Sequence, residues 1–191
     1  MKTSSGILLR ETSIKGCYEL QPNLKKDERG SFVKTFHKDD FEALNLEVDF
    51  AEEYYSVSHQ KVLRGLHFQI PPHDHVKMVY CLLGEIQDVV VDLRMDSPSY
   101  GKYEILTLSS EIANMVYLPK GTAHGFLTLS ESAIVMYKVT KTYAPDFDRG
   151  VLWNSLNIPW QEKNPVLSER DRSFQPLEKF QSPFIAQGSP G

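Results

Sequence analysis

Apolar and polar positions alternate residue by residue through most of this chain, and the runs in which they do so are short. The segments 7–11, 31–36, 53–58, 62–69, 76–83, 85–94, 102–109, 114–119, 125–129 and 133–140 are rich in β-branched and aromatic residues. Turn formers separate them at intervals of about 8–12 residues, which predicts a sandwich or barrel of antiparallel strands. One segment departs from this pattern: 37–44 reads as a helix, with Asp39 and Asp40 in its first turn to complement the helix dipole. Ser97-Pro98, Pro119-Lys120-Gly121 and Ala144-Pro145-Asp146 read as turns, because proline fixes φ and removes a ladder donor.

A period of two also decides which side chains share a face. Tyr137 is in phase with Ala133, Val135 and Val139, so a phenol stands among small apolar residues. Lys77 is in phase with Val79, Cys81 and Leu83. An ammonium aimed along an apolar wall either snorkels from a strand end or serves chemistry. His67 is in phase with Leu63, Gly65 and Gln69, whereas Arg64 points to the opposite face. Both reach one pocket only if the strand is irregular, and Gly65 is the natural place for a bulge. Asp88 and Asp92 share a face with Ile86 and Val90 and read first as structural, hydrogen-bonded carboxylates.

The chain of 191 residues has room for one domain, expected over 1–180, followed by a loose Gly/Ser/Pro-containing tail over 181–191. Its 21 Lys and Arg against 25 Asp and Glu leave a net charge of −4, so no basic field exists to hold nucleic acid or an anionic membrane. An anionic ligand is left to a few local cations. The apolar runs 78–83 and 89–91 fall far short of the ~20 residues a membrane span needs. Residues 1–11 lack the apolar core of a secretion signal, and Cys17 and Cys81 make no disulfide framework. The cytoplasm is the expected compartment.

Pro119-x-Gly121-x-x-His124 matches the core of the second cupin signature, which points to a small jelly-roll barrel. The first signature supplies an H-x-H pair and a Glu for metal, but the equivalent strand here offers His67-Phe68-Gln69. His73-x-His75 lies beside Pro71-Pro72 in a loop, and no Glu follows at the required spacing. A catalytic metal asks for three protein ligands in one geometry, so no metal is expected.

Arg64-Gly65-Leu66-His67-Phe68-Gln69, Lys77, Gly84-Glu85-x-x-Asp88, Asp92-Leu93-Arg94, Ala123-His124-Gly125-Phe126, Tyr137-Lys138, Tyr143-Ala144-Pro145, Trp153-Asn154 and Leu167-Ser168-Glu169-Arg170-Asp171 occur in this order. With them the chain resembles the dTDP-4-dehydrorhamnose 3,5-epimerase family over roughly residues 10 to 175. The resemblance implies an all-β, cupin-type jelly-roll β-barrel with N-terminal strands and a few short helices. It implies an isomerase, without cofactor, that inverts C3, C5 or both of a nucleotide-linked 4-keto-6-deoxyhexose through an enolate. In such an enzyme His67 is the base and Asp171 fixes its tautomer, Lys77 is the counter-charge of the enolate, and Tyr137 is the proton donor on the far side of the ring. Arg64 and Arg170 are the implied diphosphate partners, Tyr143 the stacking face for the base, and His124, Gln69 and Glu52 further substrate contacts. Arg29 and Phe32 are implied to enter the pocket from the second subunit of a homodimer, whose N-terminal strand crosses to the partner. The product would pass to deoxysugar and polysaccharide biosynthesis.

The chain departs from the family pattern at Lys34, where an acid is usual, and at Glu52-Glu53-Tyr54, where a Q-x-N pair is usual. These positions surround the nucleotide and sugar, so the expected carrier is dTDP or CDP. A metal-dependent cupin enzyme, a noncatalytic sugar-binding jelly roll and a keto-isomerase of similar fold remain as alternatives. On the residues alone His67 reads as a core histidine, and Asp171 as a capping or solvated carboxylate.

Overall fold

The computed structural model describes residues 6–185. Its strands run in chain order as β1 (Leu8–Glu11), β2 (Tyr18–Gln21), β3 (Leu24–Asp27), β4 (Gly30–Val33), β5 (Glu52–His59), β6 (Leu63–Gln69), β7 (Lys77–Leu83), β8 (Glu85–Asp92), β9 (Tyr103–Ser109), β10 (Met115–Leu118), β11 (Thr122–Thr128), β12 (Ser132–Val139) and β13 (Asp148–Gly150). Helix α1 (Lys38–Ala43) precedes β5, and α2 (Glu169–Ser173) follows β13.

Two antiparallel sheets face each other. One has the order β1-β2-β10-β7-β12-β5 and the other β13-β6-β11-β8-β9, while β3 and β4 form a separate hairpin. Because side chains alternate, the inner faces of both sheets fill a common core. Val79, Cys81, Val135 and Tyr137 from the larger sheet meet Ile86, Val90, Leu108 and Phe126 from the smaller. The barrel is therefore closed by packed side chains, in the way of a jelly roll. A second apolar layer lies outside the larger sheet, where Phe41, Leu44 and Leu46 cover Met78, Tyr80 and Met115. A third lies outside the smaller one, with Leu177 and Phe184 over Phe68, Val89 and Val91. Cys17 and Cys81 are free and buried in the central core. Among the described residues no helix is long and apolar enough to cross a membrane.

The alternation located the long strands to within a few residues and α1 to within one at each end. It missed β2, β3, β13 and α2, which are too short to display a period. The segment 31–36 was expected as a strand of its own length; its ladder ends at Val33, and Phe36 turns aside to pack against Phe41 and Phe50. The expected loose tail needs a correction over its first part. Phe184 is buried against Phe68, and the Ser182 hydroxyl donates to the Leu93 carbonyl, because the outer face of the smaller sheet would otherwise be left bare. Residues 186–191 lie outside the described residues.

Candidate active site

The site is built on β6, and its first requirement is an irregular strand. Gly65 has φ +138°, and a Cβ on it would stand 2.5 Å from the Cα of Gly125 on β11. With side chains absent from both, the strands close to a separation no other residue permits. The register between β6 and β11 shifts between His124 and Phe126. That irregularity turns Arg64 and His67, which a regular strand would hold on opposite faces, toward one cavity of about 400 Å³. The cavity opens between β6 and the β12–β5 side of the larger sheet, and it is lined by Arg64, His67, Gln69, Lys77, His124, Tyr137, Tyr143, Arg170 and Glu52. Nine of the sequence-expected residues thus meet in one place.

Asp171 reaches His67 across 104 positions of sequence. The chain returns to the start of β6 through a parallel bridge between Val62 and Val166, with Leu63 N–H donating to the Val166 carbonyl. The Ser168 side chain then caps α2 by accepting from the Asp171 N–H at 3.0 Å. This delivers the buried Asp171 carboxylate to His67 Nε2 at 2.7 Å, with the Gly65 N–H at 3.4 Å from its other oxygen. Burial pushes the Asp171 carboxyl upward, but hydrogen bonds from His67, Gly65 and Ser168 together with the charge of His67 hold it below the usual range. The ionised Asp171 accepts a hydrogen bond from Nε2–H, which leaves Nδ1 of His67 with its lone pair.

Across the cavity, Tyr137 is 6 % exposed. Its ring stacks on Tyr54 of β5 with centroids 4.8 Å apart, and its hydroxyl lies 3.3 Å from the Ser56 Oγ. Burial pushes the phenol well above its ordinary range, so it stays protonated at neutral pH. Lys77 opens β7, and burial lowers its ammonium from 10.5 to about 8, opposed by the carboxylates of Asp148 and Asp88. Its side chain borders the cavity.

The two aspartates on β8 are both buried and hydrogen-bonded, as their phase implied. Asp92 is a loop anchor, accepting from Arg94, Ser97 and Ser99. Asp88 is fully buried and bonded through Oδ2 to His124 Nε2 at 2.6 Å, a hydrogen-bonded carboxylate behind a residue that lines the cavity. Burial keeps His124 below its ordinary pKa despite that carboxylate. Tyr54, Ser56 and Asp148 also line the cavity; β5 alternation could have found the first two, but nothing local marks Asp148.

Arg64 donates to the Ser58 Oγ and the Val57 carbonyl. Arg170 forms an ion pair with Asp148 at 2.6 Å and lies over Phe174. Glu52 accepts from the Tyr143 N–H at 2.8 Å, tying the exposed ring of Tyr143 to the cavity rim. Two expected residues are not brought into the cavity of this chain. Arg29 pairs with Asp27 on the β3–β4 hairpin, and Phe32 beside it is 62 % exposed. His73 stacks on Phe147, while His75 bonds Gln69, and among the described residues no group of three His, Cys, Asp or Glu side chains converges.

Comparison with known proteins gives these features a lineage. The family model for dTDP-4-dehydrorhamnose 3,5-epimerase matches residues 11–179. A dTDP-4-dehydrorhamnose 3,5-epimerase of Shigella flexneri is 40% identical over 168 residues, 86% of this chain and 93% of that one. A dTDP-4-dehydrorhamnose 3-epimerase of Streptomyces niveus is 40% identical over 86% of this chain and 81% of its own. Among solved structures, the dTDP-6-deoxy-D-glucose-3,5-epimerase of Legionella pneumophila, crystallised with dTDP-4-keto-L-rhamnose, superposes with a TM-score of 0.91 at 32% identity, covering 95% of this chain and all of that one. The cupin-type jelly roll, the cavity at its mouth and these similarities agree, and the chain belongs to the dTDP-4-dehydrorhamnose 3,5-epimerase family.

Proposed function

We propose that this protein is a nucleotide-sugar epimerase that inverts C3, C5 or both of a 4-keto-6-deoxyhexose carried on dTDP or CDP, working in the cytoplasm as a homodimer. The 4-keto group acidifies the neighbouring C–H bonds. His67 Nδ1 removes one of these protons, and the electron pair passes into the C4 carbonyl to give an enolate. The ammonium of Lys77 stabilises the growing charge on that oxygen. Tyr137 returns a proton to the carbon from the opposite face, and solvent then takes the proton from His67 and restores that of Tyr137. Arg64 and Arg170 bind the diphosphate, and Tyr143 stacks on the nucleobase. His124, Gln69 and Glu52 complete the contacts with the sugar.

The observation that carries this reading is that a carboxylate-bound imidazole and a proton-holding phenol border one cavity with a buried ammonium. Such a set needs no further group to run proton abstraction and return. Lys34, Glu52 and Tyr54 at positions where the family pattern differs support the wider choice of carrier. Support for the dimer comes from β5, an edge strand whose outward residues Tyr55 and Val57 are 65% and 51% exposed. A second subunit covering that edge would be the source of Arg29 and Phe32.

Incubation of dTDP- and CDP-linked 4-keto-6-deoxyglucose in D₂O tests the reading. The wild type should place deuterium at C3 or C5. His67→Asn should slow this by about 10²–10⁴-fold or more. Absence of exchange in the wild type with both carriers, or exchange undiminished in the variant, overturns it.

A further inference from the structure

His75 borders the cavity beside Lys77, yet the chemistry above gives it no task. Its surroundings fix its hydrogen-bonding character. The Gln69 side-chain oxygen accepts from the Ala144 N–H at 2.6 Å. The amide nitrogen must then donate, and its neighbours are the His73 carbonyl at 2.9 Å, His75 Nδ1 at 3.1 Å and the Thr142 carbonyl at 3.4 Å. Reversing the amide would set NH₂ against N–H and carbonyl against two carbonyls, so its orientation is determined. The amide's two hydrogens go to its two shortest contacts, the His73 carbonyl and His75 Nδ1; that carbonyl also lies 3.3 Å from Nδ1 but already accepts from the amide, so Nδ1 offers its lone pair and the ring proton resides on Nε2. Burial, with the charge of Lys77 second, lowers the imidazole to about 3, so it carries no charge at neutral pH.

We infer that His75 is a specificity-determining residue of this site: an uncharged Nε2–H donor, set by Gln69, that hydrogen-bonds an oxygen of the bound keto sugar beside the one Lys77 attends. An uncharged donor suits this place, since a second cation next to Lys77 would repel it. The inference rests on the proposed function only in taking a nucleotide-linked keto sugar as the occupant of the cavity. The rival acceptor is a water. A chamber of about 10 Å³, bounded by His75, Lys77, Thr122 and His124, lies behind the main cavity and has room for one.

The test uses His67→Asn protein, in which turnover is blocked, titrated calorimetrically with dTDP, CDP and the 4-keto-6-deoxyglucose conjugate of each. Adding His75→Phe, which keeps a ring without nitrogen, should weaken the conjugate about tenfold, the size expected of one lost neutral hydrogen bond, and leave the bare nucleotide within about twofold. His75→Gln, which can present an amide N–H, should recover most of the loss. If His75→Phe leaves the conjugate's affinity unchanged, the donor is serving the chamber water and the inference fails. If it weakens bare nucleotide and conjugate alike, the effect is a collapsed loop and the inference also fails. Failure of both conjugates to bind more tightly than the bare nucleotides removes the keto sugar from the cavity and overturns the function along with the inference. Lack of deuterium exchange with these titrations intact overturns the function alone.

Discussion

Lys77 shows how one residue's surroundings set a measurable property. An ordinary lysine keeps its proton to about pH 10.5, but burial brings this one to about 8. In the proposed reaction the enolate needs the charged form, which is populated below that value and lost above it. Turnover should therefore fall along an alkaline limb near pH 8 in a kcat profile, and Lys77→Arg, cationic throughout, should abolish the limb even if it lowers the plateau. A limb that persists in the arginine variant would assign it to another group. The position of Lys77 was legible because its phase with Val79 and Cys81 placed a charge on an inward face. Tyr54 carried a comparable signal in the alternation of β5, where it shares a face with Ser56. Asp171 was not legible from phase at all: its partner lies 104 residues upstream, and a parallel bridge outside any long strand brings the two together.

At the scale of elements, the long strands were readable because each buries one face, whereas α2 has only five residues and no apolar stripe. Its stability is local, resting on Ser168 as the cap and on what Asp171 and Phe174 touch. Ser168→Ala should cost about 1 kcal/mol, seen in thermal unfolding as a drop of roughly 2–4 °C. It should also lower kcat, since the same helix start aims the carboxylate at His67. Lost stability with an unchanged kcat would mean that the cap holds the helix without orienting the base. The bulge at Gly65 was anticipated for a reason of sequence, the need to bring Arg64 and His67 together. That Gly125 lies against it across the ladder is a fact of pairing that one strand cannot display.

For the whole molecule, the two sheets and three apolar layers account for the barrel, and the open question is what covers β5. Tyr55 and Val57 face outward there, with Leu82 of β7 49 % exposed on the same side of the sheet. With the proposed dimer closed over this edge, Tyr55→Glu together with Val57→Lys should give a monomer in light scattering. In that monomer nucleotide-sugar affinity should fall about as far as it does in Arg29→Ala. Persistence of the dimer would locate the interface elsewhere. Of all this, strand pairing within a sheet was implicit in alternation, but which apolar residues stay exposed at a sheet edge leaves no period along one chain.

The strap from Val166 to Phe184 lays Asp171 against the base and Leu177 and Phe184 over the smaller sheet. On the ribosome it emerges after every described strand. A nascent chain thus has the strands of its cavity made before it owns the carboxylate that pairs with His67. The segment that seals the barrel's outer flank is also the one that brings the carboxylate to His67, so both arrangements form together.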